Sequence, residues 1–104
     1  MARMCLGEAM TNIVWAKITA RNHIKASGNW MWPAKLPGEG DAIYKACKAL
    51  SSAMIELGPA IDGGKDSMSM AAQVEGEGTV KCPGTLVISL YCTMTDITKK
   101  VRLH

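Results

Sequence analysis

The chain has 104 residues, 48% hydrophobic and 20% charged, with a net charge of +3. That length accommodates one small domain, and the composition is that of an ordinary globular protein. So small an excess of positive charge, scattered along the chain, argues against a nucleic-acid binder.

The first predicted element is a helix that begins almost at once. Leu6, Ala9, Met10, Ile13 and Val14 recur at helical spacing and form the expected buried stripe, with Glu8, Thr11, Asn12 and Trp15 on the opposite side. No capping residue or linker precedes it, so the start reads as cut from a longer chain. Residues 23 to 32 are expected to form a strand ending in a loop, broken by Pro33, Pro37, Gly38 and Gly40. A second helix follows from about Asp41 to Leu57, with the stripe Ile43, Cys47, Leu50, Met54 and Leu57. Asp41 favours its dipole, and Gly58-Pro59 stops it.

Ala60-Ile61 reads as a short extended piece leading into Gly63-Gly64, and residues 71 to 82 as a weak hairpin turning at Gly76-Glu77-Gly78. Residues 85 to 94 give the clearest strand, with Leu86, Ile88, Leu90, Cys92 and Met94 on one face and Val87, Ser89, Tyr91 and Thr93 on the other. The expected fold class is therefore α/β (α+β), a mixed sheet with helices on one face. No strand precedes the first helix, so the sheet is expected to be incomplete, with an unpaired edge.

The four cysteines, Cys5, Cys47, Cys82 and Cys92, include no Cys-x-x-Cys pair, and His23 and His104 add no metal-site spacing. Cys47 and Cys92 lie within apolar patterns and are expected to be small buried hydrophobes. A reduced, cytoplasmic protein fits these features. No apolar run approaches the ~20 residues of a membrane span, and the N-terminus lacks a signal-peptide layout. The basic cluster Lys99, Lys100 and Arg102 reads as a solvated tail.

Three constellations carry candidate chemistry. In IDGGKDSMSM, residues 61 to 70, the lysine comes one place too late after the glycines for a Walker A loop, and Asp66 separates it from Ser67. What survives is Gly64 beside a point charge at Lys65, a carboxylate at Asp66 and a hydroxyl at Ser67, or else a charged turn. Glu8 and Asn12, four apart on a helix, present two oxygen-bearing side chains on one face, which suits Mg²⁺ or a merely solvated surface. Ser27-Gly28-Asn29-Trp30-Met31-Trp32 offers two indoles either to a base or to a core edge.

Taken together and in order, GEAMTNI, SGNWMWPAKLPGEG, GGKDSMSMAAQV and PGTLVISLYCTMTDIT closely resemble one segment of the phosphoribosylformylglycinamidine synthase family, of the large single-chain type. The resemblance covers nearly the whole chain. It implies an enzyme that converts formylglycinamide ribonucleotide to its amidine in purine biosynthesis, with ATP and with ammonia from a separate glutaminase domain. It implies a fold like the N-terminal subdomain of aminoimidazole ribonucleotide synthetase, here most of the one in the second synthetase half. The implied partners are a pseudo-symmetric subdomain and the glutaminase domain, with no nucleic acid and no membrane. Glu8 and Asn12 then stand where the family has Mg²⁺ ligands beside a bound nucleotide, ATP or ADP. Gly64, Lys65, Asp66 and Ser67 stand on an expected ligand-facing loop, as substrate or phosphate contacts. No catalytic residue is expected within these 104 residues, and the chain alone is expected to be inactive. A non-catalytic nucleotide-binding domain and a purely structural interaction module are the rival readings.

Overall fold

The computed structural model describes residues 1–102; the reading of His104 lies outside them. Helix α1 spans Ala2–Ile13 and buries Ala2, Leu6 and Ala9. These positions repeat every three to four residues, so one stripe meets the core. Val14, expected in that stripe, is 69% exposed. The helix has ended by then, at Ile13.

After a 3₁₀ turn at Arg21–His23, strand β1 runs from Lys25 to Met31. Its burial alternates: Ala26, Gly28 and Trp30 are buried, whereas Ser27, Asn29 and Met31 are half-buried on the outward face. Helix α2 spans Glu39–Leu57 and ends at Gly58 (φ 101°), whose N–H donates to the Met54 carbonyl at 2.8 Å. Its first turn carries Glu39 as well as Asp41.

Cys47 is exposed, contrary to the expected stripe. The buried line of α2 passes through Leu50 and Ala53, flanked by Ala42, Ile43, Ala46, Met54 and Leu57. The small alanines let α2 approach closely, and Cys47 falls just beyond the contact. Cys92, the other cysteine read as buried, is only partly so.

Strand β2 spans Ala60–Ser67 and absorbs the whole Gly-Gly-Lys-Asp-Ser run. The sequence reading placed that run in a loop or turn; it is instead an edge strand parallel to β1, with Ser27 opposite Gly63 and Met31 opposite Ser67. Glycines stay extended here because two backbones nearly touch. A Cβ on Gly64 (φ 149°) would collide with the Gly28 carbonyl. Helix α2 thus forms the crossover of a βαβ unit.

Strands β3 (Ala71–Val74) and β4 (Gly78–Lys81) make the expected hairpin, exposed along its whole length. Strand β5 spans Thr85–Tyr91, ending three residues earlier than expected, and pairs antiparallel to β1. The order is β2-β1-β5, a mixed sheet. Both helices cover one face, where Ala2 and Leu6 of α1, Leu50 and Ala53 of α2, and Trp30, Trp32 and Leu86 form one core. The two indoles, at 8% and 6% exposure, are core residues and not a stacking platform. The basic segment is no free tail in its backbone: Lys17 and Val101 N–H groups donate to Lys99 and Trp15 carbonyls.

Candidate functional site

On α1, Glu8 and Asn12 meet as their spacing requires. The Asn12 amide donates to Glu8 Oε1 at 2.6 Å, and both side chains are exposed. They flank a cavity of about 280 Å³ between α1 and the β5 edge, where Ile88, Ser89 and Leu90 form the opposite wall. Leu6 and Ala9 anchor the same helix in the core, so the pair sits on a fixed support.

The donor set fits a hard divalent cation in part. A carboxylate oxygen and, after rotation of the amide, an amide oxygen lie side by side, and Mg²⁺ takes its other ligands readily from water and phosphate. Among the described residues, no group of three or more His, Cys, Asp or Glu side chains is placed to hold a metal. Two oxygens alone would leave most of such an ion's coordination to other groups.

The Gly-Gly-Lys-Asp-Ser segment does not act as one unit. Strand alternation sends Lys65 and Ser67 to the outward face, opposite Asn29 and Met31 of β1. Asp66, opposite the buried Trp30, lies on the helix side. There its charge adds to the larger effect of partial burial in pushing the Cys47 thiol up. Gly64 serves the close approach to Gly28. The Glu8–Asn12 pair and Lys65 lie at opposite edges of the sheet, two strand spacings or roughly 10 Å apart at least.

Two features escaped the sequence reading. Asn29 lines an outward cavity with Lys65 and Ser67; only the β1–β2 register reveals it. The Tyr91 hydroxyl donates to the Asp62 carboxylate, linking the two edge strands across β1, and that bond raises the phenol pKa.

A family model described as FGAR-AT PurM_N-like domain matches residues 1–93. The chain belongs to that family. Its mixed α/β architecture fits the fold expected of an aminoimidazole ribonucleotide synthetase-like subdomain. It is 67% identical over 101 residues to a protein of Arabidopsis thaliana named probable phosphoribosylformylglycinamidine synthase, chloroplastic/mitochondrial, covering 97% of this chain and 7% of that protein. It is 58% identical to the phosphoribosylformylglycinamidine synthase of Drosophila melanogaster, with the same coverage. To that of Homo sapiens it is 56% identical over 100 residues, 96% of this chain and 7% of the relative. The chain thus spans about 7% of the length of these relatives. No helix among the described residues is long and apolar enough to cross a membrane.

Proposed function

We propose that this FGAR-AT PurM_N-like chain serves a phosphoribosylformylglycinamidine synthase, as part of its second synthetase half, by holding a magnesium-nucleotide. The observation that carries this is the Glu8–Asn12 contact at the mouth of the cavity beside β5. Glu8 supplies a carboxylate oxygen, and Asn12 turns its amide to supply a second oxygen. Mg²⁺, when bound there, neutralises phosphate charge. The nucleotide is ATP or ADP, at a catalytic or an auxiliary site.

In the whole enzyme the reaction is an ATP-dependent C–N ligation. It converts formylglycinamide ribonucleotide to its amidine with ammonia from glutamine. The nucleophile for glutamine hydrolysis and the pseudo-symmetric subdomain belong to other parts of the parent. None of the cysteines here acts as that nucleophile. Lys65 and Ser67 contact a phosphate-bearing ligand. The four free cysteines suit a reducing compartment, and the cytoplasm is the setting proposed.

The test is a calorimetric titration of Mg-ADP into a protein carrying this chain together with the rest of the synthetase. Glu8→Ala should lower the affinity at least about tenfold, as loss of a metal-site group does. Equal affinity in the variant would remove the site.

A further inference from the structure

Just beyond the end of β5, the fold brings a thiol, a hydroxyl and an imidazole together, a cluster that the nucleotide reading leaves unused. Thr19 Oγ1 lies 2.9 Å from His23 Nδ1, 3.0 Å from Thr93 Oγ1 and 3.7 Å from Cys92 Sγ. The backbone holds these side chains in place. The Thr19 N–H donates to the Thr93 carbonyl and the His23 N–H to the Ala20 carbonyl, both at 3.1 Å. Ile24, the next residue, is fully buried and anchors the 3₁₀ turn. Cys92 is half-buried, whereas Thr19 and His23 are exposed, so the cluster stands at the surface.

We propose that Cys92 is a modification site, a thiol that reacts with hydroperoxides and other small electrophiles, with His23 as its proton acceptor through Thr19. A hydroxyl donates one hydrogen and accepts two, so Thr19 can be polarised in either direction. With His23 neutral, Thr19 donates to Nδ1 and accepts from the Thr93 hydroxyl and the Cys92 thiol. When the proton passes from Cys92 to His23, Nδ1–H donates to Thr19, and Thr19 donates to the thiolate. Thr93 donates to Thr19 in both states. Every member is satisfied before and after the transfer, and the thiolate is the nucleophilic form.

The surroundings favour the charged form. Lys17, Arg21 and Lys25 lie on the same stretch of chain, and no Asp or Glu occurs between Glu8 and Glu39 or between Glu77 and Asp96. Asp96 accepts hydrogen bonds from Thr98, and Asp62 accepts one from the Tyr91 hydroxyl. Among the described residues, none of the three bases is in an ion pair, whereas Arg3, Lys45 and Lys81 are each paired with an acid. Cationic neighbours favour a thiolate. The thiol's other acceptor, the Ala20 carbonyl, is 3.8 Å from Sγ, a long contact that holds the proton weakly. With hydrogen peroxide, the Cys92 sulfur attacks one oxygen; the S–O bond forms as the O–O bond breaks. The departing hydroxide takes the proton from His23 and leaves as water. Cys92 is oxidised to a sulfenic acid, and the peroxide is reduced.

The test uses a protein carrying this chain together with the rest of the synthetase. It is reacted for timed intervals with limiting iodoacetamide and, separately, with hydrogen peroxide followed by dimedone, which traps sulfenic acids. Peptide mass spectrometry reads each cysteine of this chain, so the four act as one another's controls. Exposure alone ranks Cys47 first, since it is exposed and Cys92 is half-buried. Partial burial pushes the Cys5 and Cys47 thiols up, and only Cys92 has the relay. Cys92 should therefore react at least about tenfold faster than Cys47. His23→Gln and Thr19→Val should each slow Cys92 at least about tenfold, with Cys47 and Cys82 unchanged. Thr19→Ser keeps the hydroxyl and should stay within about twofold of wild type, a rescue that a merely structural threonine does not require. Should Thr19→Val loosen the fold, all four cysteines would speed up together, and His23→Gln, at an exposed position, then decides the matter. Cys47 outpacing Cys92, a Cys92 rate unchanged by His23→Gln, or no dimedone adduct at Cys92 would each overturn the proposal.

Discussion

An alanine Cβ at Gly64 would be driven into the carbonyl of Gly28, at a backbone φ of 149° that side chains rarely adopt. Gly64→Ala should therefore cost about 2–3 kcal/mol in denaturant unfolding. An unchanged midpoint would mean that β2 is not pressed against β1 as described. The Glu8–Asn12 meeting was legible in the sequence because a four-residue step on a helix fixes which side chains are neighbours. The parting of Lys65 from Asp66 was not legible. It depends on the segment being a strand, and two adjacent glycines carry no side chains from which a period of two could be read. The partnership of Asn29 with Lys65 depends further on inter-strand register, which lies beyond local sequence.

Helix α2 shows how far periodicity reaches. Its extent and its stop at Gly58 follow from the apolar pattern and the glycine, but the stripe's centre is rotated toward Ala46 and Ala53 because close helix packing selects small residues. Leu50→Ala should cost about 2–4 kcal/mol, and Cys47→Ala less than about 0.5 kcal/mol. Equal losses in thermal or urea unfolding would restore Cys47 to the core.

The hairpin, exposed along both strands, is tied to the start of α2 by Lys81 Nζ and Glu39 Oε1, 2.6 Å apart. The hydrogen bond from Lys81 holds the Glu39 carboxyl below the usual carboxylate range. A carboxyl lowered in the folded state contributes stability that is present above its ordinary pKa and lost as pH falls through the lowered value. Wild type should thus melt above Lys81→Met at neutral pH, with the gap closing as the pH falls through and below the ordinary carboxylate range. Arg3–Glu56 has the same sign but is common to both proteins, so it cancels in the comparison. A gap independent of pH would rule out the ion pair as its source.

The molecule as a whole has a radius of gyration of 17.0 Å, against about 13 Å for a compact chain of this length. Among the described residues, helices cover only one face of its three-stranded sheet, and neither β2 nor β5 has a further strand beside it. The mixed sheet and one-sided helices were legible from the order of periodic segments; the length of β2 and the standing hairpin needed the pairing itself. The chain alone should make no amidine from formylglycinamide ribonucleotide, ammonia and Mg-ATP, since its own groups do not surround a nucleotide. Product above the enzyme-free control would contradict that expectation. The most direct test of the central claim replaces Mg²⁺ with Mn²⁺ and, with ADP present, records paramagnetic broadening of this chain's NMR signals in a protein that carries it together with the rest of the synthetase. Broadening should centre on the Asn12 side-chain amide and the backbone of Glu8, fall off toward Lys65, and vanish in Glu8→Ala. Broadening centred elsewhere, such as on Glu39 and Asp41, or persisting unchanged in Glu8→Ala, would show that the acid and amide on α1 do not hold the cation.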